Sequence, residues 1–273
     1  MNNLKDKEQK LDSILREQGS VLVAYSGGVD STYLLKMALE VLGKDKVLAV
    51  TAKSESYPDD EISQAVKLAT SMGSTITVIK TNELYNEKYV LNDTNRCYHC
   101  KSELFDILTT MAKNNSLDYV ADGSNSDDEN DYRPGIKAAT QFNVRSPLKE
   151  AGLTKKEIRT LSKNKGLSTW NKPSVACLAS RIPYGNQITV EKLSRIGAAE
   201  RFIKKMGFDQ VRVRDEGATA RVEIEKTNFT DFMAKNIDSL SSKLKELGYI
   251  YVSLDLDGYR TGSMNEVLQE NNK

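Results

Sequence analysis

Val21-Leu22-Val23-Ala24-Tyr25-Ser26-Gly27-Gly28-Val29-Asp30-Ser31 is the stretch whose reading decides the fold. Its first five residues form an unbroken apolar run, too short for a helix, as a strand buried on both faces of a parallel sheet is. Two glycines then turn the chain. From Ser31 the apolar positions Leu34, Leu35, Ala38, Leu39 and Leu42 recur at helical spacing until Gly43. Strand, glycine turn and helix make the first half of a strand–helix–strand unit.

The pattern continues on both sides. Residues 1–20 predict an amphipathic helix, with Leu4, Leu11, Ile14 and Leu15 on one side and Gln18-Gly19-Ser20 as its stop. A second buried strand is expected at 46–51, a helix at 59–72 closed by Gly73, a strand at 75–79, a helix at 100–114 and a strand at 117–121. This alternation predicts a doubly wound α/β domain, with its ligand site beyond the carboxyl ends of the strands where their order reverses. After Asp122-Gly123 the chain turns polar through Asp127, Asp128, Glu129 and Asp131, and Arg133-Pro134-Gly135 forces a turn. A loop this long in a compact domain is expected to be functional or mobile. Thr154 and Glu157 are spaced as a capping box for a helix over 154–165, with Gly166 at its end.

Residues 171–185, with Pro173, Pro183 and Gly185, follow neither period and read as an ordered loop at a domain junction. Beyond Thr189 a helix is expected at 190–206, strands at 210–214 and 220–225, a helix at 231–247 and a strand at 250–256, giving a smaller α+β domain. The expected organisation is therefore 1–170 for the first domain, 171–188 for the junction and 189–273 for the second. No internal repeat or low-complexity tract interrupts it.

Composition removes several classes of function. The 273 residues carry 39 Lys and Arg against 38 Asp and Glu, a formal net charge of +1 that provides no bulk attraction to nucleic acid or an acidic membrane. Apolar runs such as Val47-Leu48-Ala49-Val50 fall far short of the ~20 residues that span a bilayer, and the amino terminus has no hydrophobic signal region. A cytoplasmic protein with neither membrane nor nucleic-acid partner is the expectation. His99 is the single histidine, so a multi-histidine metal site is excluded and a Ser-His-Asp triad would have to use that residue. Cys97, Cys100 and Cys177 cannot all pair within one chain, which points to metal binding or thiol chemistry.

The turn itself suits a pyrophosphate. Gly27 and Gly28 let the backbone approach an anion, the helix start offers N–H groups and its positive dipole end, and Ser26 and Ser31 add hydroxyl donors. Asp30 would repel bound phosphates unless a divalent cation lay between them, so Mg²⁺ is expected with ATP. The spacing and lysine of a Walker A loop are absent, which disfavours kinase-like γ-phosphate transfer. Ser26 to Ser31 resembles the PP-loop of the ATP pyrophosphatase family, which includes GMP synthetase, NAD synthetase, asparagine synthetase and tRNA thiolation enzymes. That resemblance implies the PP-loop, adenine nucleotide alpha-hydrolase-like fold. It also implies adenylation of a carboxylate or carbonyl-type oxygen with loss of pyrophosphate, after which a nucleophile replaces AMP.

Arg96-Cys97-Tyr98-His99-Cys100-Lys101 opens a helix, and its C-x-x-C has three readings. A redox pair needs a depressed thiol pKa, which a helix start can supply, but a phosphate loop already takes the first strand–helix turn. Zinc would need Cys97, Cys100, Cys177 and His99 together, with His99 wedged between two ligands. An iron–sulfur cluster on three cysteines would leave one iron without a protein ligand and able to bind exogenous sulfide.

Trp170-Asn171-Lys172-Pro173-Ser174-Val175-Ala176-Cys177-Leu178-Ala179-Ser180-Arg181-Ile182-Pro183-Tyr184-Gly185 narrows the resemblance. Together with Asp128-Glu129-Asn130-Asp131-Tyr132-Arg133-Pro134-Gly135 and Val211-Arg212-Val213-Arg214, it is similar to the LarE family of ATP-dependent sulfur transferases. These build the nickel-pincer nucleotide cofactor of lactate racemase, and the similarity runs from about Val21 to Met264. It implies that a carboxylate of pyridinium biscarboxylate mononucleotide is adenylated and becomes a thiocarboxylate.

Some members sacrifice one cysteine, leaving dehydroalanine, at the position of Ala176 here. Cys177 is its neighbour, and the three-cysteine pattern resembles the branch in which a 4Fe-4S cluster on Cys97, Cys100 and Cys177 carries a labile sulfide. Catalytic roles for these cysteines and for Asp30 follow from that resemblance, with sacrificial donation from Cys177 as the alternative. Arg212 and Arg214 alternate on a strand, so both face one way and suit a phosphate. The resemblance assigns them, with Glu200 and Asp231, to the substrate pocket, where those two carboxylates could also bind a metal; Ser180 and Arg181, within four residues of Cys177, are expected to contact the transferring group or the AMP phosphate. It places adenine near Thr51, Ala52 and Ser54, and the ribose near Gly123. Sulfide or a sulfur donor is the implied second substrate, and a homo-oligomer the implied assembly. A tRNA thiolation enzyme is the nearest rival, against which the net charge and the acidic run argue.

Overall fold

Both faces of the first strand are covered, and this explains its unbroken apolar text. Val21 and Val23 enter one cluster with Leu11, Leu15, Leu34, Leu35 and Ile158, while Leu22 enters another with Val50, Phe105 and Leu108. The computed structural model describes residues 2–130, 134–173, 176–235, 237–260 and 262–266. Asp131, Tyr132, Arg133, Ser174 and Val175 of the sequence motifs lie outside the described residues.

In chain order the elements are α1 (Asn2–Gln18), β1 (Val21–Ala24), α2 (Val29–Leu42), β2 (Val47–Lys53), α3 (Asp59–Ser71), β3 (Thr75–Lys80), α4 (Glu87–Val90), α5 (Arg96–Asn114) and β4 (Tyr119–Ala121). They continue with α6 (Gly135–Gln141), α7 (Pro147–Glu150), α8 (Lys155–Asn164), α9 (Val190–Lys205), β5 (Val211–Glu216), β6 (Thr219–Ile224), α10 (Phe229–Ala234), α11 (Ile237–Glu246) and β7 (Tyr251–Leu254). The chain divides into two compact units, residues 1–83 with 95–175, and residues 84–94 with 176–273.

The first unit holds a four-stranded sheet of order β3-β2-β1-β4, with every pairing parallel. Strand order reverses between β1 and β4, so the loop leaving β1 sits at the topological switch point where α/β sheets bind ligands. The expected doubly wound domain is thus present. The capping box on α8 is also as read: the Thr154 hydroxyl accepts from the Glu157 N–H at 3.3 Å, and Glu157 Oε2 accepts from the Thr154 N–H at 2.9 Å.

In the second unit β5 pairs antiparallel with β6, and β6 pairs parallel with β7. Ala199 and Ile203 of α9 pack with Val211, Val213, Val222 and Ile224, closing a separate core. The helix expected over 231–247 is two helices, because Lys235 is extended (φ −96°, ψ 104°) and ends the first. The short helices α4, α6 and α7 were not expected, since none is long enough to show a period. Residues 84–94 stand with this unit through Asn92. Its side chain is fully buried and donates from Nδ2 to the carbonyls of Ile182, Pro183 and Asn186 at 3.2, 2.8 and 2.9 Å.

Candidate functional site

The loop after β1 closes on its own hydroxyls. Ser31 Oγ accepts from the Ser26 N–H at 3.2 Å and lies 3.0 Å from Ser26 Oγ, so the two serines that flank the glycines hold each other. Gly28 caps α2 with no side-chain hydrogen bond, which leaves the helix start open to an anion. Gly27 has φ +69°, and a Cβ there would lie 2.6 Å from the Ala65 side chain on α3. Gly123, after β4, comes so close to α2 that a Cβ would lie 2.9 Å from the Ser31 nitrogen. The turn that follows β4 therefore abuts the helix start, on the side where the strand order reverses.

Asp30 stands in the first turn of α2. One carboxylate oxygen, Oδ2, pairs with Lys155 Nζ, while Oδ1 is buried and accepts no hydrogen bond. Burial raises the Asp30 pKa, and the adjacent Lys155 offsets only part of that rise. A buried acceptor oxygen with nothing donating to it is suited to a hard cation, so the residues present fit Mg²⁺. Lys155 is itself set by the acidic run, since its N–H donates to Asp127 Oδ2 at 2.8 Å. Within that run Asp128 is buried, and its Oδ2 accepts from the Asn125 N–H at 2.9 Å; ahead of the run, Asp122 accepts from the hydroxyls of Ser124 and Ser146 at 2.8 and 2.7 Å.

Thr51 and Ala52 lie in the carboxyl half of β2 and Ser54 directly follows it, beside the point where the Tyr25 N–H bonds to the Val50 carbonyl at 2.8 Å. Thr51 and Ser54 are buried, and Ser54 Oγ accepts from the Ser56 N–H at 3.2 Å. On the α3 side of Gly27 is a cavity of about 700 Å³, lined in part by Ala65, Leu68, Thr169 and Lys172.

Cys97 and Cys100 lie in the first turns of α5, three residues apart and so on one helical face. Gly135, at the start of α6, packs on that turn, where a Cβ would be 3.1 Å from Lys101 Cγ. Tyr98 and His99 between the cysteines meet edge to face at 5.4 Å, and the Tyr98 hydroxyl donates to Gln141 Oε1 at 2.6 Å. All three cysteines are half-buried thiols. Among the described residues no three of His, Cys, Asp and Glu are gathered as for a metal ion. Two thiols on one turn have the donor chemistry of an iron–sulfur ligand pair, and Cys177 belongs to the second unit.

Cys177 precedes a 3₁₀ turn, Leu178–Arg181, whose geometry is set by one buried guanidinium. Arg181 is 2% exposed. Its Nε and Nη2 donate to Glu200 at 2.8 and 3.0 Å, and its Nη1 donates to the carbonyls of Ala176 and Cys177 at 2.9 and 3.0 Å and to Ser180 Oγ at 2.9 Å. Ser180 Oγ donates to the Cys177 carbonyl at 2.9 Å. Burial alone would raise the Glu200 carboxyl, but Arg181, Arg212 and the Val213 N–H together hold it below the usual carboxylate range.

Arg212 and Arg214 share one face of β5, and both are buried. Arg214 makes a fork to Glu223 at 2.8 and 2.7 Å and donates to the Ser180 carbonyl at 2.8 Å. Arg212 lies over the Tyr259 ring and donates to the Val211 carbonyl at 2.7 Å. Burial lowers the Arg212 pKa, and Arg181 and Arg214 add to that effect against the pull of Glu200 and Tyr259. Three guanidinium groups around two carboxylates make a compact electropositive centre suited to a phosphate. Asp231 is exposed on the first turn of α10, and no described contact joins its carboxylate to these arginines.

Sequence reasoning missed Lys155, Glu223, Tyr259 and Lys172 as members of these clusters. Lys172 was in the quoted motif, but nothing in its spacing announced where its ammonium would go.

The sequence profile of NAD synthases matches residues 4–114. An uncharacterized protein of Synechocystis sp. is 44% identical over 266 residues, which are 97% of this chain and 99% of that one. The pyridinium-3,5-bisthiocarboxylic acid mononucleotide synthase of Lactiplantibacillus plantarum is 39% identical over 268 residues, 98% of this chain and 97% of the synthase. An uncharacterized protein of Methanocaldococcus jannaschii is 30% identical over 95% of each chain. Among the described residues no helix is long and apolar enough to cross a membrane.

Proposed function

Because the chain belongs to the LarE family of ATP-dependent sulfurtransferases built on a PP-loop domain, we propose that it adenylates a carboxylate of pyridinium biscarboxylate mononucleotide and converts it to a thiocarboxylate. The observation that carries this reading is the 39% identity, along nearly the whole chain, to a synthase whose product is named as a bisthiocarboxylic acid mononucleotide. The second unit supports it, since Arg181, Arg212 and Arg214 form a buried cationic centre that a substrate phosphate would complete.

In the first step the substrate carboxylate oxygen bonds to the α-phosphorus of ATP while the bond to pyrophosphate breaks. A carboxylate resists nucleophiles and an acyl phosphate does not, which is why the step is needed. Ser26, Ser31 and the amides at the start of α2 would hold the departing pyrophosphate, and Asp30 would hold Mg²⁺, which when bound offsets the phosphate charge. In the second step a sulfur nucleophile attacks the acyl carbon, and AMP leaves with the oxygen that came from the carboxylate. Arg181 would keep the Cys177 turn in place through both steps.

Cys97, Cys100 and Cys177 would hold a 4Fe-4S cluster, which when bound supplies sulfide at the iron that lacks a protein ligand. Sulfide or a sulfur donor is then the second substrate, and the protein works in the cytoplasm as a homo-oligomer without nucleic acid. Anaerobically reconstituted protein is expected to contain about four irons with matching acid-labile sulfide, and Cys97→Ala to lose them. Pyrophosphate release should appear only when the carboxylated mononucleotide is added. Multiple turnovers by Cys97→Ala with sulfide supplied would remove the cluster from the account, and loss of one sulfur from Cys177 per turnover would replace it with sacrificial donation.

A further inference from the structure

Lys172 reaches the back of the phosphate loop. Its Nζ donates to the Gly27 carbonyl at 3.2 Å and pairs with Glu61 Oε2 of α3 at 2.8 Å, with both side chains less than one-fifth exposed. The backbone that carries Lys172 is anchored in turn. Arg159 of α8 donates from Nη1 to the Trp170 carbonyl at 2.8 Å and from Nη2 to the Lys172 carbonyl at 3.0 Å. Lys163, one turn further along α8, lies over the Trp170 ring at 4.8 Å.

What the ammonium holds is one face of the Gly27–Gly28 peptide. No cis bond occurs among the described residues, so this peptide is planar and trans and its carbonyl and N–H point in opposite directions. With the Gly27 carbonyl drawn toward Lys172, the Gly28 N–H is aimed at the exposed Ser26 hydroxyl, at a long 3.4 Å. Two consecutive glycines offer almost no resistance to turning that peptide over, and the turned form would present a carbonyl oxygen where an anion must sit.

We propose that Lys172 is a positioning residue for phosphate recognition: by holding the Gly27 carbonyl, with Glu61 orienting its ammonium, it fixes the Gly28 N–H toward the pyrophosphate portion of ATP. The inference rests on the phosphate-loop reading above and extends it to a residue outside the loop.

Calorimetric titration of the full chain with Mg²⁺ and each of pyrophosphate, α,β-methylene ATP and AMP tests it. Lys172→Met is expected to weaken pyrophosphate and the ATP analogue roughly tenfold, about the worth of one hydrogen bond to a charged group, while AMP stays within about twofold. Lys172→Arg keeps a donor and should restore most of the loss. Glu61→Gln separates aim from charge. It makes the neighbourhood more positive, so a simple electrostatic role for Lys172 would tighten pyrophosphate binding, whereas positioning weakens it. Tighter binding by Glu61→Gln, or equal weakening of AMP and pyrophosphate in Lys172→Met, would overturn the inference. Absence of pyrophosphate and analogue binding by the wild type would remove the phosphate-loop reading itself, and the role of Lys172 with it.

Discussion

Asp30→Asn is expected to cut substrate-dependent pyrophosphate release at least about a hundredfold, the scale of losing one charge-stabilising group at a reacting phosphate, while the protein without nucleotide stays as stable as the wild type or gains stability. The two halves come from the same geometry. Asparagine keeps the shape but offers a cation a neutral oxygen in place of a carboxylate, so the buried Oδ1 position loses the charge that suits Mg²⁺. Burial meanwhile raises the Asp30 pKa, with Lys155 only partly opposing it. A carboxyl whose folded pKa is raised adds stability only below its unfolded pKa and loses it as the pH rises through the folded value. At neutral pH the ionised group is therefore a cost that asparagine relieves, and Lys155, one-third exposed, remains solvated. Thermal denaturation beside a pyrophosphate-release assay checks both halves, and a large stability loss would mean that Asp30 is structural.

Arg181→Met is expected to destabilise the second unit by about 3–5 kcal/mol, because it strands the buried Glu200 carboxylate without its partner. Adding Glu200→Leu should recover most of that loss, since a matched apolar pair replaces the ion pair. About 1 kcal/mol should remain missing, because Glu200 also accepts from the Val213 N–H. Both variants release the carbonyls of Ala176 and Cys177, so the Cys177 thiol should alkylate at a changed rate even in the double variant, where the fold is restored. Denaturant titration measures the first effect and timed thiol labelling the second. If the double variant stayed as unstable as Arg181→Met, the buried charge would not be the cause.

What could be read in advance was local. Ser26 to Ser31 declares itself because the glycines, hydroxyls and helix start that suit an anion are all within six residues, and the structure adds that the loop lies at the strand-order reversal and that its two serines hold each other. Thr154 and Glu157 were legible for the same reason. Arg212 and Arg214 could be placed on one face by their spacing, but their burial, and the Glu223 that pairs with Arg214 from the neighbouring strand, depend on cross-strand register. Lys155 and Lys172 belong to the loop only because α8 and the turn that follows it pack beside α2, which brings each lysine to a partner 125 and 145 residues away in sequence. Residues 84–94 look like a connector within the first domain. The buried Asn92, which binds three carbonyls around residue 184, assigns them to the second unit. Asp231 is the converse case, matching by sequence yet standing exposed and outside the described arginine contacts.

The central claim is that ATP activates a carboxylate so that sulfur can replace one of its oxygens. The most direct measurement supplies pyridinium biscarboxylate mononucleotide with ¹⁸O in its carboxylates, together with ATP, Mg²⁺, sulfide and the reconstituted protein, and weighs the AMP and the pyridinium product. Adenylation followed by displacement puts one ¹⁸O into each AMP and exchanges one oxygen for one sulfur in the product. AMP without label, or label appearing in phosphate alongside ADP, would show that the carboxylate is not activated as an acyl adenylate, and the account would fail at its first step.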